Sequence, residues 1–346
     1  MLKATYKRYT LNFKQASGTS RGVLKTKETF FLLLEEQGKE GIGECGLFRG
    51  LSIDDKPDYE EKLQWVCNHI SLGKEALLNE LYEYPSIQFG VEQAFLSFAS
   101  KDKFQIFDTD FVSVNKPISI NGLIWMGDAD FMQRQIEEKL KAGFGTIKLK
   151  IGAINFDKEC ELLASIRERF SADEIELRVD ANGAFFPKEA LSKLERLAKF
   201  DLHSIEQPIK QGQIYEMAKL CSKTPLPIAL DEELIGVFSK KDKIALIDEI
   251  QPQYIILKPS LVGGIQGSDD WISIAKKNNI EWWITSALES NIGLNAIAQY
   301  TSKLQTTMPQ GLGTGALFTN NIDSPLHVED GKLWYNSSKK WDELNF

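Results

Sequence analysis

Six ionisable residues, each set in or closing a short apolar run, are the part of this sequence that could do chemistry. They occur as Ile147-Lys148-Leu149-Lys150, Val179-Asp180, Ile205-Glu206, Leu230-Asp231 and Leu257-Lys258, in that order along the chain. Asp180, Glu206 and Asp231 offer only oxygen ligands, which suits a hard cation such as Mg²⁺, with Mn²⁺ as a substitute. Zinc is disfavoured, because His69, His203 and His327 are scattered and none has a partner at ligand spacing. An Asp after a strand is often only a helix N-cap, but three acids at successive strand ends exceed what capping asks. Lys148 and Lys150 alternate with Ile147 and Leu149, so a strand sends both lysines to one face and both aliphatics to the other. If the aliphatics meet helices, the lysines point inward. Burial near a cation lowers a lysine's pKa, and a neutral amine can then act as a general base. Lys258 follows Tyr-Ile-Ile-Leu directly and so caps a buried strand.

These residues need elements that bring distant strand ends together. After Lys116-Pro117 the chain alternates short strand-like runs with helical stretches, the pattern of parallel βαβ units. The runs are 118–124, 146–151, 175–180, 204–206, 228–231, 254–258, 281–285 and 311–317, with helices such as 156–170 and 188–200 between them. Eight strands predict a closed barrel, whose C-terminal strand ends converge on one mouth where such enzymes do chemistry. A doubly wound open sheet is disfavoured, since no G-x-G-x-x-G turn follows any strand. Upstream, 3–13, 28–36 and 41–45 read as an antiparallel meander, and 57–70 and 86–99 as helices. Segment 14–27, rich in Ser, Thr, Gly and Lys, reads as a mobile loop that could close over the mouth. Segment 327–335 reads as one more strand returning to the first domain. The division expected is therefore 1–115, completed by about 325–346, and 116–324.

Composition narrows the partners. The chain has 346 residues with 41 basic and 49 acidic side chains, a formal charge of −8, and no dense basic block for a nucleic acid. Cys45, Cys67, Cys160 and Cys221 lie far apart and read as free thiols of a reducing compartment. The N-terminus lacks an apolar core, and no run has the roughly 18 apolar residues of a membrane span. The expected setting is the cytoplasm, with a small carboxylate as partner and neither nucleic acid nor membrane; the sequence leaves the oligomeric state open.

Taken in order, K-x-K at 148–150, Val179-Asp180-Ala181-Asn182, Ile205-Glu206-Gln207-Pro208, Leu230-Asp231-Glu232 and Leu257-Lys258-Pro259 resemble the enolase superfamily, in its muconate lactonising enzyme-like branch. Gly41-Ile42-Gly43-Glu44-Cys45 extends the resemblance toward the N-terminus. The resemblance implies an α/β fold: a modified TIM barrel (β/α)7β with an N-terminal α+β capping domain. It also implies metal-assisted enolate chemistry, the use for which this superfamily is known. Carried over by motif, Lys150 is the base, Asp180, Glu206 and Asp231 hold the metal, Lys258 faces the substrate's other side, and Lys148 tunes Lys150. Segments 284–294 and 311–314 look most like the o-succinylbenzoate synthase family, a group of dehydratases in menaquinone biosynthesis. Ser286, Gly311 and Gly313 are then candidate contacts for a succinyl tail, and Asn182 is counted with them. Racemisation of N-succinylamino acids and epimerisation of dipeptides remain open at this point, as does a ligand-binding relative without turnover.

Overall fold

The computed structural model describes residues 1–19 and 22–344. The chain begins with an antiparallel sheet of β1 (Lys3–Thr19), β2 (Gly22–Glu36) and β3 (Lys39–Cys45), in that spatial order. Helices α1 (Tyr59–Asn68), α2 (Lys74–Glu80), α3 (Pro85–Ala99) and the short α4 (Asp110–Ser113) follow. Gly43 makes the contact between β3 and α3 possible, for a Cβ there would come within 1.9 Å of the Gly90 carbonyl oxygen. Phe30, Leu32, Leu34, Leu63, Ile87 and Val91 fill the space between sheet and helices.

Segment 14–27 differs from its expectation. Its described residues lie in β1 and β2, whose ladder runs from Lys3 to Asn12, shifts register and resumes at Ser17. That pairing takes up part of the segment's backbone, and Leu24 packs against the core, so a polar composition did not require a loop. Ser20 and Arg21 of the segment lie outside the described residues.

The remainder is barrel. After the two-residue β4 (Ile118–Ser119) come seven βα units: β5 (Gly122–Ile124) with α5 (Ala129–Lys141), β6 (Thr146–Lys150) with α6 (Phe156–Arg167), β7 (Glu176–Asp180) with α7 (Pro187–Leu197), β8 (Ser204–Glu206) with α8 (Ile214–Cys221), β9 (Ile228–Leu230) with α9 (Lys240–Ile250), β10 (Tyr254–Leu257) with α10 (Gly264–Lys277), and β11 (Glu281–Ile284) with α11 (Asn291–Lys303). The seven strands form one parallel sheet in sequence order. Asp128, Asn155, Ser239 and Ser290 cap α5, α6, α9 and α11 with side-chain oxygens.

The eighth strand is shorter than expected. In place of a strand over 311–317, the sheet is closed by bridges at Gln310, to Ile120, and at Gly311, to Thr285, and the chain then turns through a single 3₁₀ turn at Gly315–Leu317. Glycines at 311, 313 and 315 supply no side chains to pack a longer ladder. The tail also differs: β12 (Leu326–Glu329) and β13 (Lys332–Tyr335) form a hairpin that pairs with β4, the entry to the barrel, while Tyr335 packs edge-on against Phe111 and Trp341 stacks on Phe104 at 4.3 Å, both residues of the first layer. The four cysteines are buried and unpaired. Among the described residues no helix is long and apolar enough to cross a membrane.

Two buried carboxylates fasten the N-terminal layer to the barrel. Glu44 of β3 accepts hydrogen bonds from Thr29 Oγ1 (2.8 Å), Ser290 N (2.9 Å), Ser290 Oγ and Gly293 N (2.8 Å), at the start of α11. Glu92 of α3 accepts from Ile265 N and Gln266 N in the first turn of α10. Each places acceptor oxygens on a helix N-terminus. Glu44→Ala strands those donors, and urea unfolding should show a loss of about 2–4 kcal/mol. A loss below about 1 kcal/mol would refute the role given to this carboxylate.

Candidate active site

Strand alternation puts the chemistry inside. In β6 the side chains of Ile147 and Leu149 join the barrel-helix core, while Lys148 and Lys150 line a cavity of about 310 Å³ at the strands' C-terminal ends. In β7, Arg178 and Asp180 also share one face. Arg178 is fully buried below the site, with Nε 2.7 Å from Glu176, NH1 donating to the Pro309 carbonyl and its guanidinium 4.5 Å from the Trp283 ring centre. It plugs the barrel floor, a part no motif announced.

The six residues read from the sequence do come together. Asp180 is level with Lys150 on the next strand and with Glu206 on the one after. Lys148 Nζ donates to both Glu206 carboxylate oxygens, at 2.7 and 2.6 Å, and lies 3.1 Å from Asp180. Lys150 Nζ donates to Asp180 Oδ2 at 2.9 Å and to Asn182 Oδ1 at 2.7 Å. Lys258 Nζ donates to Asp231. As β6 and β10 are the second and sixth strands of an eight-membered ring, Lys150 and Lys258 face each other across the mouth.

The sequence reading expects burial near a cation to lower the lysine pKa. Among the side chains themselves, burial does oppose the charge of Lys148. The carboxylates of Glu206 and Asp180 outweigh it, and Lys148 moves well above the ordinary lysine value. Lys258 likewise moves up, burial being outweighed by Asp231 and Glu232. Burial, reinforced by the charges of Asp180 and Asp231, pushes Glu206 up to about 8 against the pull of Lys148. Asp180 is held far below the carboxylate range, its burial overcome by Lys150 and Lys148.

The donor set meets the requirement for a hard divalent cation: carboxylate oxygens at the ends of three adjacent strands, with Glu232 beside them, outnumber the three lysines that face them. As the side chains stand, lysine ammoniums lie between the acids, and among the described residues no three ligating groups are gathered closely enough to hold an ion. A cation entering here would take over the counter-charge that the lysines now supply.

Supporting contacts occupy two motif residues: Gln207, to which the sequence reading gave no role, and Asn182, which it counted among the candidate substrate contacts and which lines the cavity. Gln207, at φ 36, accepts from the amides of Asp231 and Glu233 and donates to Glu233, which orients the turn carrying Asp231. Asn182, at φ 44, bridges Lys150 and Glu232, to which its amide donates at 3.0 Å. Ser286, Gly311 and Gly313 line the cavity, with the Ser286 hydroxyl 2.6 Å from Thr314 Oγ1. Cavity residues that the sequence reading missed are Phe48 and Leu51 of the N-terminal layer and Trp125, Phe131, Lys139 and Leu288 of the barrel. They are apolar or solitary residues in loops and helix faces; Trp125 and Leu288 sit just after predicted strands, while Phe131 and Lys139 lie on α5 and carried no local signal.

Residues 131–338 match the family described as enolase C-terminal domain-like. The chain is 47% identical to the o-succinylbenzoate synthase of Desulfotalea psychrophila, across 96% of this chain and 98% of that one. The crystal structure of MenC from D. psychrophila superposes with a TM-score of 0.86 at 44% identity, covering 96% of this chain and 99% of that one. Muconate lactonizing enzyme from Pseudomonas putida, at 20% identity and a TM-score of 0.80 over 96% of this chain and 93% of that one, shares the fold.

Asn182 separates backbone from side-chain effects. Asn182→Ala places a Cβ residue without a helpful amide in the left-handed region and should lower stability by about 1–2 kcal/mol in thermal unfolding. Asn182→Gly should keep stability within about 0.5 kcal/mol of wild type, while both lose the contact to Lys150 and the same share of turnover. Turnover that recovers fully in the glycine variant would show that the amide does not position Lys150.

Proposed function

The chain belongs to the enolase superfamily, in the group of its o-succinylbenzoate synthases, and on that footing we propose that it dehydrates 2-succinyl-6-hydroxy-2,4-cyclohexadiene-1-carboxylate to o-succinylbenzoate, a step of menaquinone biosynthesis. One observation favours this reading over dipeptide epimerisation: the cavity holds the two opposed lysines, and the last barrel segment, Gly311-Leu312-Gly313-Thr314, brings no carboxylate to the wall. A dipeptide's ammonium would find no counter-charge there, whereas a succinyl group meets no repulsion.

Lys150 Nζ is assigned the proton next to the ring carboxylate. Having taken it, the same ammonium delivers it to the hydroxyl leaving from the neighbouring carbon, so that water departs and the ring becomes aromatic. A single residue acting twice requires both groups on one face, which is a syn elimination. Lys258 on the opposite face offers a fixed positive charge to the enediolate, in a position to make a cation–π contact with the ring. Lys148 holds Glu206 and Asp180 and so sets the charge beside Lys150. Asp180, Glu206 and Asp231 would hold Mg²⁺ or Mn²⁺. Bound there, the cation supplies Lewis-acid stabilisation of charge developing on the substrate carboxylate, without which the proton is too weakly acidic for an amine. Phe48, Leu51 and Leu288 limit water in the cavity. Residues 1–115 with the C-terminal tail form the proposed capping unit and 116–324 the catalytic one.

Chelation should abolish turnover and added Mg²⁺ or Mn²⁺ restore it; full activity in excess chelator would remove the metal from the reading. Lys150→Ala should lower the dehydration rate by roughly 10²–10⁴-fold or more, and Lys258→Ala should impair it by about 10²–10³-fold. Comparison of the cyclohexadiene carboxylate with dipeptides and N-succinylamino acids tests the assignment directly. A dipeptide or N-succinylamino acid turned over faster than the cyclohexadiene carboxylate would overturn it.

A further inference from the structure

The short eighth strand leaves the barrel wall open on one side. Beyond Ser119 and Asn121, which bond to Gln310 on either side of its bridge to Ile120, β5 has no ladder toward the final segment among the described residues. The backbone of Trp125 is instead satisfied by a side chain of α5: Trp125 N donates to Gln135 Oε1 at 2.9 Å, and Gln135 Nε2 donates to the Trp125 carbonyl at 3.0 Å. The cavity that contains Lys150 and Lys258 continues through this opening, and α5 forms its outer wall with Phe131, Gln135, Glu138 and Lys139.

Lys139 is out of place for a residue in the last turn of a helix. Such lysines usually extend into water, where they oppose the helix dipole. This one folds back against Gly122, where a Cβ would lie 3.1 Å from its stem carbons, and sets its ammonium 5.0 Å from the Phe144 ring centre. Among the described residues it makes no hydrogen bond or salt bridge, and the neighbouring Glu138 is the charge that acts on it. A partly buried ammonium with only an aromatic face as partner, in an arm lined by Leu123, Trp125 and Phe131, has free donors for an anion at the end of an apolar chain.

We propose that this arm is the subsite for the far carboxylate of the substrate and that Lys139 is its counter-charge, a specificity-determining residue for the dehydration assigned above. The inference rests on that assignment. It adds that the substrate is recognised as a dicarboxylate: one carboxylate lies among the strand-end acids and lysines, and the other reaches through the wall of the barrel. Lys14, which lines the cavity from β1, is the other lysine near enough to compete for the tail.

Calorimetric binding to the Mg²⁺-loaded protein, with o-succinylbenzoate and 2-butyrylbenzoate as probes, tests this without turnover, because the two differ only in the terminal carboxylate. Wild type should prefer the succinyl compound, and Lys139→Met, which keeps the stem over Phe144, should weaken that compound by roughly tenfold. The butyryl compound should bind both proteins within about twofold. Lys14→Met should retain the preference. An undiminished preference in Lys139→Met, or its loss in Lys14→Met alone, would overturn the subsite while leaving the dehydration intact. Failure of wild type to bind either probe would overturn the assigned reaction and the subsite with it.

Discussion

The mouth of this barrel holds Lys148, Lys150 and Lys258 interleaved with Asp180, Glu206 and Asp231, and the surrounding structure has to make that burial tolerable. Charges taken out of water cost several kcal/mol each unless their partners are placed well. Here the placement comes from strand register: Lys150, Asp180 and Glu206 lie level on adjacent strands, so each ammonium meets an acid without leaving its strand. The aliphatic residues between them face outward into the helix layer, and the polar cluster is thereby stapled to the apolar core that surrounds it. A chemistry that needs a base, an opposed cation and an acidic cage in fixed relation is well served by such a frame, since little has to move before reaction.

Among the described residues the N-terminal layer contributes no charged group to this cluster, yet it supplies Phe48 and Leu51 to the cavity wall. Its attachment relies on acceptor oxygens inserted at helix starts. Glu44 and Glu92 satisfy backbone donors of α11 and α10 that would otherwise be buried without partners. The Gly-Ile-Gly-Glu-Cys motif thus has two tasks. Gly43 lets α3 lie against β3, and Glu44 projects from that packed strand into the barrel.

Where the frame is least regular, the cavity reaches the face of α5. A full eighth strand would seal β5 and end the cavity at the barrel wall. The glycine-rich segment that replaces it pairs only through Gln310 and Gly311, and Gln135 covers backbone that a strand would have covered. The amide side chain costs no ladder elsewhere, and the opening it permits gives α5 a face toward the substrate. Specificity can then be altered on that helix without disturbing the strand-end charges, a separation common in barrels that host several reactions.

The sequence by itself singled out the residues that the structure gathers at the strand ends and the framework that carries them. Alternation in β6, acids closing β7, β8 and β9, and the lysine after β10 are local patterns, and each maps to a strand end whatever the rest of the chain does. The βα spacing carried the barrel for the same reason. Other features depended on contacts between distant segments. Polar composition in 14–27 says nothing of a ladder partner that lies beyond a hairpin, so a loop was expected where β1 and β2 run on. The charge state of Lys148 follows from Glu206, 58 residues away, and not from its own strand. Arg178 beneath the site, and Lys139 behind a strand that is never completed, become recognisable only once packing shows what surrounds them. Tertiary structure decided these points because burial, counter-charge and cavity shape are properties of neighbours in space, which sequence spacing records only within a strand or a helix.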